Sequence, residues 1–327
     1  MTRALVLGAT GFLGGQIARQ ALRRGWTVRG LRRREGAVGD LEGGAVEWVH
    51  GDLDGPTGLD SAFEGVDVVF HAAGYYPAGE RPASAIAHGV AQTRKVLEAC
   101  RQAHPARVVY TSTLSTIGRP PANENRLADE RDLYVPGSLP HSAYYESKFA
   151  MESEVLRAAA NGLPALVLNP TAVFGPGDVH LTLARALLAA ARGQIPFWFP
   201  AMLNLVDVRE VAAAHVRAAE VGRLGERTII GGHNLSLREL LERAALLAGR
   251  RPPRWEIPVS LVVAVGTAAS RIPGLSGGSG HLQAARTWQG YDTTKARREF
   301  GLLPRPLEVT LGDALDWLAQ HGHPWRP

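Results

Sequence analysis

Two side chains four residues apart, Tyr144 and Lys148 in HSAYYESKFAMES, carry the first chemistry legible in this chain. On a helix they share one face. An ammonium beside a phenol favours the phenolate, which predicts a tyrosine pKa drawn down from about 10 toward the range useful for proton transfer. Upstream, YTSTLST ends a strand-like run and offers the hydroxyls of Ser112 and Thr113, either of which could hold a substrate carbonyl beside the tyrosine. Alone, a Tyr-x-x-x-Lys pair is more simply an incidental surface pair.

A second feature gives the pair a context. Gly8, Gly11 and Gly14 form G-x-x-G-x-x-G directly after an apolar run and at the start of a helical pattern. Missing Cβ atoms there let a backbone approach a pyrophosphate, and a helix N-terminus offers free N–H groups to it. Thr10, Phe12 and Leu13 belong to the same turn. About twenty residues on, where an acidic residue would bond the ribose of NAD, the chain reads Leu31-Arg32-Arg33-Arg34 with no carboxylate before Glu35. Arg32, with Arg33, therefore points to the 2′-phosphate of NADP(H), with NAD(H) a possible substitute and a solvated basic loop the simpler alternative.

These residues need a scaffold that sets them at one edge. Apolar runs at 4–7, 27–31, 45–49, 66–71, 107–112 and 165–169 alternate with helical patterns at 14–24, 57–63, 86–103 and 144–160. The runs are near-continuous, as in strands buried on both faces. The fold expected is α/β, a doubly wound parallel Rossmann sheet. Beyond Pro170 the pattern loosens, except for a helix-strand pair ending in RTIIGG that rejoins the sheet. The division expected is a cofactor-binding domain of 1–174 and 204–232 and a smaller, discontinuous substrate lobe of 175–203 and 233–327.

Composition narrows the classes. Of 327 residues, 45% are hydrophobic and 20% charged, which excludes disorder. The charge of +5 is scattered arginine with few interleaved aromatics, so no nucleic-acid partner is expected. The longest apolar stretch, 259–269, is too short to cross a membrane and reads as a buried or pocket-lining helix. A lone cysteine, Cys100, forms no intrachain disulfide, and the chain opens without an export signal, so a cytoplasmic location is expected. His321 and His323 have no partners at metal-ligand spacing, and no metal is expected. His141 reads as a polar residue at a helix start.

Taken together, GATGFLG, GDL at 51–53, VVFHAAG at 68–74, YTSTLSTIG at 110–118, YYESK at 144–148, NPTAVFGPGD at 169–178 and NLVDVREVAAAHV at 204–216 resemble the extended short-chain dehydrogenase/reductases of the NAD(P)-dependent epimerase/dehydratase group. The resemblance spans nearly the whole chain. It implies that Thr113, Tyr144 and Lys148 are the catalytic set, with Lys148 also holding the ribose. It further implies that Asp52 and Leu53 border the adenine, that Ala72, Ala73 and Gly74 pass near the cofactor, and that Asn169, Pro170 and Val173 lie by the nicotinamide. Asn204 would face the substrate. A homodimer through the helices at 86–103 and 144–160 is also implied. One departure is Gly89 in GVAQT, where many members have asparagine, so a proton relay there would need water. The Asn169-Pro170 version of its motif is most similar to the dihydroflavonol-4-reductase-like branch, which implies a small-molecule carbonyl substrate. A sugar-nucleotide epimerase and a non-catalytic NADP-binding redox sensor are the alternatives.

Overall fold

The computed structural model describes residues 1–39, 41, 46–55, 59–77, 80–139, 142–178, 184–269 and 284–325. In chain order the strands are β1 (Arg3–Leu7), β2 (Thr27–Arg32), β3 (Val46–His50), β4 (Val68–His71), β5 (Arg107–Thr111), β6 (Ala165–Pro170), β7 (Ala172–Phe174), β8 (Phe197–Trp198), β9 (Met202–Asp207), β10 (Arg227–Ile230), β11 (His233–Ser236) and β12 (Trp255–Glu256). The helices are α1 (Phe12–Arg23), α2 (Leu59–Phe63), α3 (Pro82–Ala103), α4 (Ala143–Ala160), α5 (Ala184–Ala191), α6 (Val208–Val221), α7 (Leu237–Leu247), α8 (Val259–Ala269), α9 (Thr294–Phe300) and α10 (Leu307–Gln320).

Seven strands form one parallel sheet in the order β10-β6-β5-β4-β1-β2-β3. The chain winds outward from β1 through β2 and β3, then crosses to β4 and winds the other way. That reversal opens a crevice at the carboxyl ends of β1 and β4, the place where doubly wound sheets bind ligands. Both faces are covered. Ile17, Ala18 and Val211 pack with Val6 and Phe70 on one side, and Val96, Leu97, Met151 and Val155 pack with Leu5, Val69 and Val167 on the other. Each fully buried Leu, Ile or Val contributes about 1.5–3 kcal/mol, which is why the strand runs carry no polar alternation.

The expected elements are present with shifted ends. The third helix begins at Pro82 rather than 86, because a proline in the first turn loses no intrahelical bond and its φ is already helical. Residues 56–58, where the second helix was expected to begin, lie outside the described set. RTIIGG supplies β10, which pairs with β6 as expected. A three-stranded sheet of β11, β9 and β7 and a third core of Phe174, Leu187, Leu205, Leu241, Leu311 and Leu315 gather the later elements.

The apolar helix at 259–269 is not buried throughout, and of the two expectations it meets the pocket-lining one. Leu261 is 51% and Val265 55% exposed, while Val262 packs against Phe199 and Ala285 with Val259 beside it, and Val259 lines a cavity. Among the described residues no helix is long and apolar enough to cross a membrane.

Candidate active site

The glycine turn sits at the crevice and two of its glycines are fixed by their own backbone. A Cβ on Gly14 would lie 2.1 Å from the Gly8 carbonyl oxygen, and one on Gly8, whose φ is +90°, would lie 2.9 Å from the Ala73 nitrogen. Gly11 is different. Its Cβ would meet only the Gly8 oxygen at 3.3 Å, so it leaves space on the outer side of the turn. Gly11 caps α1 with no side-chain bond, and the first turn holds no acidic residue. The N–H groups of Phe12, Leu13 and Gly14 therefore face outward unsatisfied, a cradle that fits a pyrophosphate.

Beside it, β2 delivers Arg32. Gly30 makes room for Trp48, whose ring carbons would stand 2.6 Å from a Cβ there, and Trp48 in turn lies under the Arg32 guanidinium, 5.7 Å from Cζ to the ring centroid. That stacking aims a cation with no carboxylate partner among the described residues. Arg33 is exposed and its carbonyl bonds His50 at 3.1 Å. Leu53 is buried, and Asp52 caps its own turn by accepting from the Asp54 N–H at 3.1 Å.

On the other side of the crevice stand the chemical groups. The Tyr144 hydroxyl donates to Thr113 Oγ1 at 3.3 Å, and Lys148 Nζ lies 5.8 Å from the Tyr144 ring centroid. A Cβ on Gly74 would fall 2.5 Å from Lys148 Nζ, so glycine there lets the ammonium reach the segment after β4. Lys148 is 8% exposed and makes no hydrogen bond to a described residue. Such a cation suits the ribose hydroxyls of a dinucleotide. Its charge does not draw the phenol down as the spacing suggested. Burial pushes Tyr144 up to about 12 and lowers Lys148 to about 8, because each charged form is costly away from water.

Ser112 and Thr113 separate cleanly. Ser112 turns its hydroxyl away from the crevice to Glu152, leaving Thr113 facing Tyr144. Glu152, which the sequence reading missed, is 2% exposed and also accepts from Thr116 Oγ1 at 2.6 Å and Asn169 Nδ2 at 2.7 Å. Arg227 pairs with it at 2.9 Å and donates to the carbonyls of Glu130 at 3.1 Å and Asp132 at 2.8 Å. The signal was present in the spacing, since Tyr144, Lys148 and Glu152 recur every four residues along α4. Asn169 is fully buried in this network, also giving Nδ2 to the Thr113 carbonyl at 3.3 Å, whereas Pro170 and Val173 line the cavity in front.

That cavity has a volume of about 700 Å³. Thr113 and Tyr144 form its catalytic corner beside Phe12 and Leu13 of the cradle, and the surface that the rest of the wall exposes is mostly carbon, from Leu, Ile, Val, Phe, Met and Trp side chains set among tyrosines and small polar residues. Asn204 is in the wall, but its Oδ1 already accepts from Thr171 Oγ1 at 2.8 Å and the Gly232 N–H at 2.9 Å, and its Nδ2 donates to Asn234 Oδ1 at 2.8 Å. At Gly89 the sequence reading placed a water. The volume is instead filled: a Cβ would meet Met151 Sδ at 2.8 Å and Tyr75 Cδ1 at 3.2 Å.

Other expectations resolve simply. Cys100 is buried and its thiol is pushed up to about 12 by burial, an inert group. His321 stacks on Trp317 at 3.9 Å, and no cluster of metal-ligating residues occurs among those described. His141 lies outside the described residues.

Comparisons with known proteins agree with this geometry. A family model described as the NAD dependent epimerase/dehydratase family matches residues 4–231. The chain is 32% identical to a candidate dihydroflavonol 4-reductase of Synechocystis sp., over 97% of this chain and 95% of that one. It is 30% identical to the sterol demethylase protein B of Methylococcus capsulatus, over 97% and 98%. A solved structure of a nucleoside-diphosphate-sugar epimerase from Pseudomonas aeruginosa is 28% identical with a TM-score of 0.83, covering 99% of both chains. With its glycine cradle, its tyrosine and lysine on one helix face and its reversed parallel sheet, the chain belongs to the NAD dependent epimerase/dehydratase family and is an NAD(P)-dependent enzyme of the extended short-chain dehydrogenase/reductase fold.

Proposed function

We propose that the chain is an NADP(H)-dependent reductase of a ketone or aldehyde on a small organic molecule. The observation that carries this reading is the Tyr144–Thr113 contact of 3.3 Å at the wall of an apolar cavity. A carbonyl oxygen entering that corner accepts from both hydroxyls. A nicotinamide dinucleotide held by the Gly8–Gly14 cradle and Lys148 would supply the hydride. Tyr144 supplies the proton that makes the product hydroxyl, and the phenolate then recovers a proton from solvent. With its pKa raised to about 12 the phenol is protonated at neutral pH, the form an acid catalyst of carbonyl reduction needs.

The test is NADPH oxidation against a panel of ketones and aldehydes. Tyr144→Phe is expected to bind NADPH almost as wild type and to lose roughly 10²–10⁴-fold in turnover, the usual effect of removing a general acid. Near-normal turnover in that variant overturns the reading.

Arg32 supports NADP(H) over NAD(H). A charge-assisted bond to the 2′-phosphate is worth roughly 1.5–3 kcal/mol, about ten- to a hundredfold in preference. Arg32→Asp is expected to move the ratio of the two affinities toward NAD by at least that factor, and an unchanged ratio in paired cofactor titrations makes the cluster a solvated loop.

A second reading follows from the solved neighbour named as a sugar-nucleotide epimerase. An epimerase would retain its nicotinamide through turnover, so release of NADP⁺ with each product separates the two. The apolar wall speaks for the reductase, and the complete Thr113, Tyr144 and Lys148 set argues against a sensor without chemistry. We further propose a cytoplasmic homodimer through α3 and α4, whose small exposed residues Ala87 and Ala91 permit close approach. A monomeric mass at micromolar concentration contradicts the dimer.

A further inference from the structure

Among the described residues that line the 700 Å³ cavity, Arg119 is the one charged side chain. It follows β5 on the segment that leaves the catalytic corner through Gly118. A second cavity of about 540 Å³ adjoins it, and Arg119, Met202 and Trp288 line both. The guanidinium thus stands in the partition between an apolar chamber that holds Thr113 and Tyr144 and a smaller one beyond.

Its bonding is incomplete. Nη2 donates to the backbone carbonyls of Arg286 and Trp288, which fixes the group in place without neutralising it. Gln289 Nε2 bonds the Gly118 carbonyl at 2.7 Å and ties the same two segments together. Nε and Nη1 make no hydrogen bond to a described residue, and no described carboxylate lies within ion-pair distance of Arg119. Most other arginines around the cavity's outer loop are paired, as Arg126 is with Asp132 at 2.7 Å. Arg119 is exposed at the rim of the cavity, and a guanidinium held there without a carboxylate partner among the described residues has the fork geometry that takes a carboxylate through two parallel N–H bonds.

We infer that the substrate of this site is an apolar carbonyl compound carrying one anionic group, a carboxylate, which Arg119 binds while the carbonyl lies at Thr113 and Tyr144. The inference rests on the reductase reading and adds to it the substrate class and the residue that selects it. A nucleoside diphosphate fits poorly, since its paired phosphates would face one cation in a lining whose exposed surface is mostly carbon.

The experiment uses a series of medium-chain keto acids with the carbonyl at the penultimate carbon, each beside its methyl ester, with NADPH. The acids are expected to show KM values roughly ten- to a hundredfold below those of the esters. Arg119→Met should raise KM for the acids by that factor, leave the esters unchanged and alter kcat little, and Arg119→Lys should restore part of the loss. Equal KM for acid and ester in wild type, or a variant that weakens both alike, overturns the assignment. Calorimetric binding of dodecanoate and 1-dodecanol to the NADPH-loaded protein gives a readout independent of turnover. If no ketone is reduced, the reductase reading fails while this arm still decides Arg119: dodecanoate binding weakened at least tenfold in Arg119→Met supports it, and equal or absent binding overturns it.

Discussion

Helix α4 presents two buried charges to opposite fates. Glu152 meets Ser112, Thr116, Asn169 and Arg227, so its carboxylate is bonded by protein groups, although Asn169 Oδ1 in the same cluster has no partner. One turn earlier Lys148, 8% exposed, has no hydrogen-bond partner among the described residues, while the Tyr144 hydroxyl reaches Thr113 Oγ1 at 3.3 Å. The rear cluster ties α4 to β6, β10 and the turn after β5, and fixes where Thr113 stands. The front leaves the Lys148 ammonium for something the fold does not contain. Satisfied networks specify a unique packing, whereas unsatisfied groups at a crevice mark where a ligand completes the structure.

Breaking the rear should cost the most stability. Glu152→Ala leaves the Arg227 guanidinium 7% exposed without its counter-charge, which typically costs about 3–5 kcal/mol. Urea unfolding monitored by circular dichroism reads the loss, and Glu152→Gln, which keeps an acceptor for Ser112 and Thr116, should lose less. A loss below about 1 kcal/mol would mean that the network is ornament and that Thr113 is positioned by its backbone alone.

The same division governs what the sequence revealed. The cradle, Arg32 and the Tyr144–Lys148 pair are local patterns, each contained within one turn or one strand-helix junction, and the fold brought them to one crevice as their spacing required. Glu152 and Arg227 are 75 residues apart and become partners only when β10 joins β6. No window of sequence contains both. The phenol's pKa went the other way from expectation for a related reason: i,i+4 spacing sets two groups near each other but says nothing of how much water surrounds them, and here burial outweighs the neighbouring ammonium. Helix α8 is half legible in the same way, since its apolar composition is visible in sequence but which of its residues pack, Val259 and Val262, and which stand exposed, Leu261 and Val265, is not.

At the front, Lys148 itself should be a stability cost until a cofactor arrives. Its folded pKa of about 8 lies below the unfolded value near 10.5, so the folded state disfavours the proton. The penalty, on the order of 3 kcal/mol, is present in full below about pH 8 and fades as pH rises toward 10.5. Lys148→Met is therefore expected to stabilise the cofactor-free protein at neutral pH, to remove the rise in stability over that alkaline window, and to abolish reduction. A variant no more stable than wild type at pH 7 would show that the ammonium is better solvated than its enclosure suggests.

The smallest effect concerns a residue that belongs to neither side of the comparison. His71 ends β4 between the two groups, 2% exposed, edge-on to Tyr110 at 5.2 Å, and neither ring nitrogen has a hydrogen-bond partner. Burial, with the Lys148 charge adding to it, lowers its pKa to about 3. Because the unfolded ring binds a proton near pH 6.5 and the folded one does not, this residue's contribution to stability is intact above about 6.5 and lost progressively as pH falls toward 3. The limiting slope for one proton is about 1.4 kcal/mol per pH unit, so roughly 2 kcal/mol should disappear between pH 6.5 and 5. His71→Leu has similar volume, removes two unsatisfied buried nitrogens and cannot titrate. It should match or exceed wild-type stability at pH 7 and show a shallower acid limb by about that amount, measured as urea midpoints across the range. If the acid limb of the variant overlays that of wild type, the ring finds a proton acceptor in the folded state, and His71 then belongs with the satisfied rear of the molecule rather than with its open front.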